Sequence, residues 1–479
     1  MITPMLRQYY DIKKKYKDAV LLFRVGDFYE CYDDDALILA NCCKIILTSK
    51  GYGTKKMKMS GVPHHSVNKY IKMLISNGYK VAICDQIEDA SKKSGPVVQR
   101  KVTRVITPGT ITDLMMLEDG TNNYLVGINK YRNEFGLVFV DISTGEFFGT
   151  QIKGENKDDL YANLISELVK FSPAECILPE KLYEDTELLD KLKKYTTMAI
   201  NKRNNMDFDV ERSRDILLEH FKVMNLVGFG CEDKPAIISS AGAILLYLKE
   251  IQMSEISIIK NFSIYNRNDY MIIDAASQRN LELVRSIMED STKGTLLSIL
   301  DKTVTPMGSR KLKKWIKQPL KDIKLIKYRQ EMINQFKEDL FLRDDIRKCL
   351  KEIYDIERLI GKISHDSANA KDLVFLRSSL EKIPEIIEIL NRQSGQFKEF
   401  FNVEIVERVL KGADLIKRAI KDEPATTLHE GGIIRKGFNQ ELDELLEIRD
   451  QGKDFLIKLE ARERARTGIT TRKRHARGA

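Results

Sequence analysis

From about Glu255 onward the sequence changes character, and this change restricts the possible folds more than any single motif. Before that point short apolar runs alternate with breaks containing Gly, Pro and Asn, the pattern of strands and short helices joined by turns. After it come long stretches rich in Leu, Ile, Lys and Glu. Their apolar residues stand three and four apart, as in Leu281, Val284, Ile287 and Met288 or Leu373, Leu376, Leu380 and Ile383, with Pro319, Pro384 and Gly412 as punctuation. At 479 residues the chain is also too long for one core. The expectation is a multidomain protein, α/β first and all-α after.

Composition narrows the function classes. A hydrophobic content of 43% supports packed cores, and 79 basic against 70 acidic residues leave a formal charge of +9, a mild excess compatible with a polyanionic partner without demonstrating one. No apolar run is long enough to span a bilayer, and no basic start precedes a signal-like core, so a cytosolic protein is expected. The seven cysteines have no Cys-x-x-Cys spacing, which points to reduced, packed thiols rather than zinc or disulfides.

In chain order, residues 3–16 read as a helix opened by Thr3-Pro4, with Met5, Leu6, Tyr9, Ile12 and Tyr16 on one side. Residues 19–25 form an apolar strand, Gly26 permits a sharp turn, and Asp27 reads as the cap of a helix starting near Phe28. In that helix Tyr29, Tyr32, Ala36, Leu39, Ala40 and Cys43 face inward while Asp33, Asp34 and Asp35 meet water. Phe28 and Glu30 fall off the stripe. Placed on a first turn, they project past the helix end, where an aromatic can stack on something outside the domain. The plain alternative is a core aromatic and an acid favoured by the helix dipole.

A polar loop over 48–59, containing Gly51 and Gly53, leads to a helix over 65–76 stopped by Asn77-Gly78, then to strands over 79–87 and 100–107. The second of these strands buries Val102, Val105 and Ile106 and shows Arg100, Lys101 and Arg104, bases suited either to a solvated face or to phosphate contact. A second unit opens with a meander over 123–129, 135–142 and 146–152, joined at Ser143-Thr144-Gly145. The Leu160, Leu164, Leu168 and Phe171 stripe, the short strand Cys176-Ile177-Leu178 and an apolar helix over 241–251 follow, an order that a ribonuclease-H-like domain would show. Asp141 stands where such a nuclease would place a metal-binding carboxylate, but apart from Glu146 no acid joins it, and the expectation is a structural Asp. A last helix spans 440–466, with Leu442, Leu445, Leu446, Ile448, Phe455, Leu456 and Leu459 as its apolar positions.

Several words occur in one order: Gly26-Asp27-Phe28-Tyr29-Glu30, Ser60-Gly61-Val62-Pro63-His64-His65, Val81-Ala82-Ile83-Cys84-Asp85-Gln86-Ile87 and Arg100-Lys101-Val102-Thr103-Arg104-Val105-Ile106-Thr107-Pro108-Gly109-Thr110. Asp141-Ile142-Ser143-Thr144-Gly145, Asp274-Ala275-Ala276 with Arg279-Asn280-Leu281-Glu282, Val304-Thr305-Pro306-Met307-Gly308-Ser309-Arg310 and Arg464-Ala465-Arg466-Thr467-Gly468 continue the series. This order closely resembles the MutS DNA mismatch-repair proteins over nearly the whole chain.

The resemblance implies that Phe28 and Glu30 form the family's mismatch-reading Phe-x-Glu pair, supported by Val25 and Gly26, with Arg100, Lys101 and Arg104 toward phosphates. It implies a small mixed α/β mismatch-binding domain over 1–112, a ribonuclease-H-like connector over 113–254, an incomplete helical core and lever over 255–436, and the outgoing helix of a clamp over 437–469. Residues 470–479 form a basic tail unlike the family. Double-stranded DNA with mismatches or small loops and a MutL-type protein are the implied partners, no membrane is involved, and the setting is the cytoplasm near the nucleoid. The family's homodimer is expected to be weak or absent here. ATP and magnesium belong to the full-length family, whereas no Gly-x-x-x-x-Gly-Lys-Ser/Thr loop occurs in this sequence and no cofactor or enzyme activity is expected of it. The expected function is recognition of mismatched or unpaired bases, and the alternative is a fragment that binds DNA only non-specifically or not at all. Junction-binding relatives lack the Phe-x-Glu pair.

Overall fold

The computed structural model describes residues 3–50, 57–87, 98–252, 256–287, 291–391 and 402–467. The first domain begins with α1 (Pro4–Lys13), whose Thr3 cap accepts from Leu6 N and whose Pro4 opens the helix. β1 (Ala19–Val25) and β2 (Phe28–Tyr32) follow, then α2 (Asp33–Cys43), β3 (Thr48–Lys50), β4 (Met57–Pro63), α3 (Val67–Ser76), β5 (Lys80–Gln86) and β6 (Arg100–Ile106). One sheet in the order β3-β4-β2-β1-β5-β6 results, with only β1 and β5 parallel. Residues of β1 alternate between two cores: Val20 and Leu22 meet α2 and α3, while Leu21 and Phe23 meet Tyr9 of α1. The part of the expected 48–59 loop that holds Gly51 and Gly53 lies outside the described residues, and its two ends are strands paired with each other.

Two expectations fail here. Phe28 does not start a helix: residues 28–32 pair antiparallel with both β1 and β4, and the helix begins only at Asp33. The spacing that suggested one helix joins inward strand residues, Tyr29 and Tyr32, to the inward face of α2. Nor do all three aspartates meet water. Asp35 is buried and accepts from Lys13 Nζ at 2.8 Å, Tyr9 Oη at 3.1 Å and Leu21 N at 3.0 Å, tying α1 to β1.

The second domain carries β7 (Leu125–Tyr131), β8 (Glu134–Asp141), β9 (Glu146–Lys153), α4 (Lys157–Phe171), β10 (Glu175–Pro179), α5 (Glu180–Tyr183), α6 (Thr186–Tyr195), β11 (Ala199–Arg203), α7 (Val210–Phe221), α8 (Pro235–Gln252) and β12 (Ser263–Ile264). The meander β7-β8-β9 is antiparallel, and β10 and β11 add in parallel beside β7, giving the order β11-β10-β7-β8-β9-β12. Both sheet faces are covered: Val126, Ile128 and Phe139 pack with α4 and α6, and Val138 and Val140 with α7 and α8.

Helices then take over: α9 (Ala275–Asn280), α10 (Leu296–Leu300), α11 (Pro306–Lys317), α12 (Ile323–Glu338), α13 (Leu340–Lys351), α14 (Ile356–Ser364), α15 (Ala370–Glu381), α16 (Ile383–Asn391), α17 (Val403–Ala419) and α18 (Gln440–Thr467). Up to Ala368, with α16 from Glu385, the chain forms one compact unit; Asn369–Pro384 and the described residues from 402 onward form another. Leu281, Val284 and Ile287 are not helical as expected, and Met288 lies outside the described residues. The backbone instead turns at Glu282, φ +44°, and the Glu282 and Leu283 carbonyls accept from Leu296 N and Leu297 N. Gly412 does not break its helix but sits inside α17. α18 spans the expected last helix, with Leu445, Ile448, Leu456 and Leu459 exposed, and residues 470–479 lie outside the described residues. All seven cysteines are free thiols. No helix among the described residues is long and apolar enough to cross a membrane.

Candidate nucleic-acid interface

The β1–β2 hairpin presents the pair singled out in the sequence. Its loop is Gly26-Asp27, and Gly26 has φ +58°, a conformation strained for any side chain. His64 N donates to the Asp27 carbonyl at 2.8 Å, fixing the loop to the end of β4. In a strand, residues two apart share a face. Phe28 and Glu30 therefore stand side by side on one face of β2, while Tyr29 and Cys31 enter the core on the other. Phe28 lies between Val25 of β1 and Pro63 of β4 and is 50% exposed, far from a core aromatic.

Glu30 lies between Phe23 and Gly61 and accepts from the Tyr32 hydroxyl. Burial and the Glu30 carboxylate raise the Tyr32 pKa, so the phenol remains a donor. At Gly61 an added Cβ would lie 3.2 Å from Tyr29 O and 3.7 Å from Glu30 Cγ, so its missing side chain leaves room beside the carboxylate.

The bases of β6 do not form the expected common face. Arg100 is partly buried, lies 4.8 Å over the Phe23 ring, and donates to Arg24 O at 2.6 Å, Val98 O at 2.9 Å and Gln8 Oε1 at 3.2 Å. Burial lowers its pKa. Arg104 donates to Thr112 Oγ1 at 3.1 Å, and burial lowers its pKa too. A register shift between Ile83 and Cys84 separates the two arginines along the ladder. Lys101 stands exposed.

Asp141 is wholly buried, and both its oxygens are taken: Oδ1 by Ser143 N at 2.9 Å and Ser143 Oγ at 2.6 Å, Oδ2 by Asn122 Nδ2 at 2.9 Å and Asn123 N at 3.1 Å. Glu146 accepts from Tyr124 Oη at 2.7 Å and Lys314 Nζ at 2.6 Å. These partners make the end of β8 a turn anchor, the structural role expected of Asp141.

Comparison with known families agrees with this layout. The model of MutS domain I matches residues 3–115, that of domain II residues 123–260 and that of domain III residues 276–471. The DNA mismatch repair protein MutS of Halothermothrix orenii is 44% identical over 478 residues, covering 98% of this chain and 52% of the relative. The chain belongs to the MutS family. The MutS proteins of Methanococcoides burtonii and Ruminiclostridium cellulolyticum are 39% and 40% identical, each over 98% of this chain and 53% of their own length. The chain thus spans about half the length of these MutS relatives. Its mixed α/β domains coincide with the matches to domains I and II and its helices with domain III.

Sequence reasoning missed the supports of the hairpin: Tyr32 beneath Glu30, Gly61 beside it, and the Tyr9–Asp35–Lys13 cluster behind it. Gly61 and the Asp35 cluster depend on residues brought together from separate elements, whereas Tyr32 lies two residues from Glu30 within β2, a contact that only the strand assignment reveals.

Proposed function

We propose that this chain recognises mismatched or unpaired bases in duplex DNA, with Phe28 as a wedge in the minor groove and Glu30 hydrogen-bonding the displaced base. The observation that carries this reading is an aromatic left half-exposed at the tip of a pinned hairpin, with a carboxylate on the same face. Unstacking a base step costs a few kcal/mol and least at a mispair, so an aromatic wedge favours lesions without reading sequence. A carboxylate near phosphates also disfavours unkinked duplex. Lys101 supplies a backbone contact, while Arg100 and Arg104 act by holding the sheet. Val25 and Gly26 shape the hairpin.

In the same reading the second domain is a ribonuclease-H-like connector, supported by its strand order, and uses that fold without nuclease chemistry. The helices serve as core and lever, and α18 as the outgoing clamp helix. ATP with magnesium, the homodimer and contact with a MutL-type partner are assigned to the full length of the family, in the cytoplasm at the nucleoid.

The test is affinity at fixed low salt for a duplex with one G·T mispair or one unpaired T against the matched duplex, with Phe28→Ala alongside. A preference for the lesion that Phe28→Ala removes supports the reading. Equal, salt-sensitive binding to both duplexes, unchanged by Phe28→Ala, makes the chain a non-specific binder instead.

A further inference from the structure

The motif Thr107-Pro108-Gly109-Thr110 follows β6 and has no role in the reading above. Its turn is closed on itself: Thr107 N donates to Thr110 Oγ1 at 2.9 Å, and the two hydroxyls lie 2.8 Å apart. It also meets Glu175, the first residue of β10, which is wholly buried. Glu175 Oε2 accepts from the Thr107 hydroxyl and from Gly109 N at 2.8 Å. Glu175 Oε1 accepts from Asn201 Nδ2 of β11 at 2.6 Å and from the Tyr247 hydroxyl of α8. One oxygen of the carboxylate therefore serves the exit of the first domain, and the other serves the second domain.

Packing is as close as the hydrogen bonding. A Cβ at Gly109 would lie 2.8 Å from Glu175 Cβ and 2.9 Å from Leu125 Cβ, which leaves space only for glycine. Asn123 Nδ2 donates to the Pro108 carbonyl at 2.9 Å, closing the turn from a third side. A buried carboxylate is costly unless its lone pairs are filled. Here four donors fill them, so the cluster has one well-defined arrangement, and losing any donor loosens the joint.

We infer that Glu175 is a positioning residue for base reading: it fastens the exit of the first domain to the second, so that the hairpin bearing Phe28 works against a rigid support. This rests on the reading of Phe28 proposed above. Pushing a wedge into a base step requires a reaction force, and a loosely jointed domain yields instead of kinking the duplex. Phosphate contacts carry no base information and survive such loosening.

The test uses the whole chain, with Glu175→Gln and the milder Thr107→Val, and two readouts. Glu175→Gln keeps volume but sets an amide N–H2 against donors, and Thr107→Val removes one donor to Oε2. Hydrogen exchange at the Gly109 amide is expected to speed up about tenfold or more in Glu175→Gln, with the amides of β8 unchanged. The ratio of lesion to matched-duplex affinity is expected to fall about fivefold or more in both variants, with matched-duplex affinity unchanged. Unchanged exchange at Gly109 overturns the joint. Faster exchange with an unchanged ratio, in a chain whose ratio Phe28→Ala abolishes, overturns the positioning role. A ratio that Phe28→Ala does not alter overturns base reading by Phe28 and the positioning role with it, while the exchange result still decides the joint.

Discussion

Arg310 tests how the helical region is fastened. Its guanidinium forks onto Asp355, with both contacts at 2.7 Å, and Nη2 also reaches Glu357 Oε2 at 2.6 Å. The Arg310 and Asp355 side chains are 5% and 10% exposed, whereas Glu357 is 50% exposed. The Glu357 contact is therefore a surface pair worth about 1 kcal/mol or less, and the fork is a buried one. Removing one member of a buried pair leaves the other charge stranded, at about 3–5 kcal/mol. Arg310→Ala is expected near the lower figure, because Asp355 still caps α14 through Arg358 N at 3.3 Å. Asp355→Ala loses that cap as well, about 1 kcal/mol more. With both charges gone the double variant should cost about 2–3 kcal/mol less than the sum of the single ones. A multidomain chain does not unfold in one step, so the measurement is native-state hydrogen exchange of α14 amides rather than a global midpoint. Effects that add to within about 0.5 kcal/mol would refute the assignment of this pair as a buried, coupled unit.

Glycines in two helices should respond oppositely. At Gly361 in α14 a Cβ would meet Ser143 O at 2.2 Å, so Gly361→Ala should destabilise α14 by about 1–3 kcal/mol despite alanine's helix propensity, whereas Gly412→Ala in α17, with open space around it, should stabilise by about 1 kcal/mol; exchange rates of the two helices check both. Burial, with Arg285 and Lys313 nearby, lowers the pKa of Lys317 from 10.5 to about 8. Between those values the unfolded chain binds more protons than the folded one, so stability should rise from pH 8 toward 10.5, and local unfolding of α11, followed by the fluorescence of Trp315 in the same helix, should lose that part of the rise in Lys317→Met. Asp35→Ala leaves Lys13 Nζ with backbone carbonyls alone, Ala19 O at 2.6 Å the nearer, and Leu21 N without its side-chain acceptor, so it should cost about 2–3 kcal/mol, read as faster exchange in α1 and β1.

Much of the fold was legible where the signal is local. Thr3-Pro4 opens α1, Gly26 turns the chain at φ +58°, Asn77-Gly78 ends α3, and the turn Ser143-Thr144-Gly145 marks the meander. The misreadings in the first domain come from partners distant in sequence. β2 reads as a helix because its inward tyrosines continue the spacing of α2, and pairing with β4 decides otherwise. Asp35 reads as one of three solvated acids, and only the fold brings Lys13, Tyr9 and Leu21 to it. Glu175 gave no signal, since two of its donors lie in a turn more than sixty residues upstream. The Phe28–Glu30 pair was found by spacing and resemblance, but the strand explains why that spacing sets them on one face.

The central claim is that Phe28 enters the base stack at a lesion. Photo-cross-linking with p-benzoylphenylalanine in place of Phe28, on a duplex with a single unpaired T, tests it directly. The account predicts cross-links confined to the unpaired T and its immediate neighbours, lost on the matched duplex. Cross-links spread evenly along both duplexes, or none to any base, would contradict it.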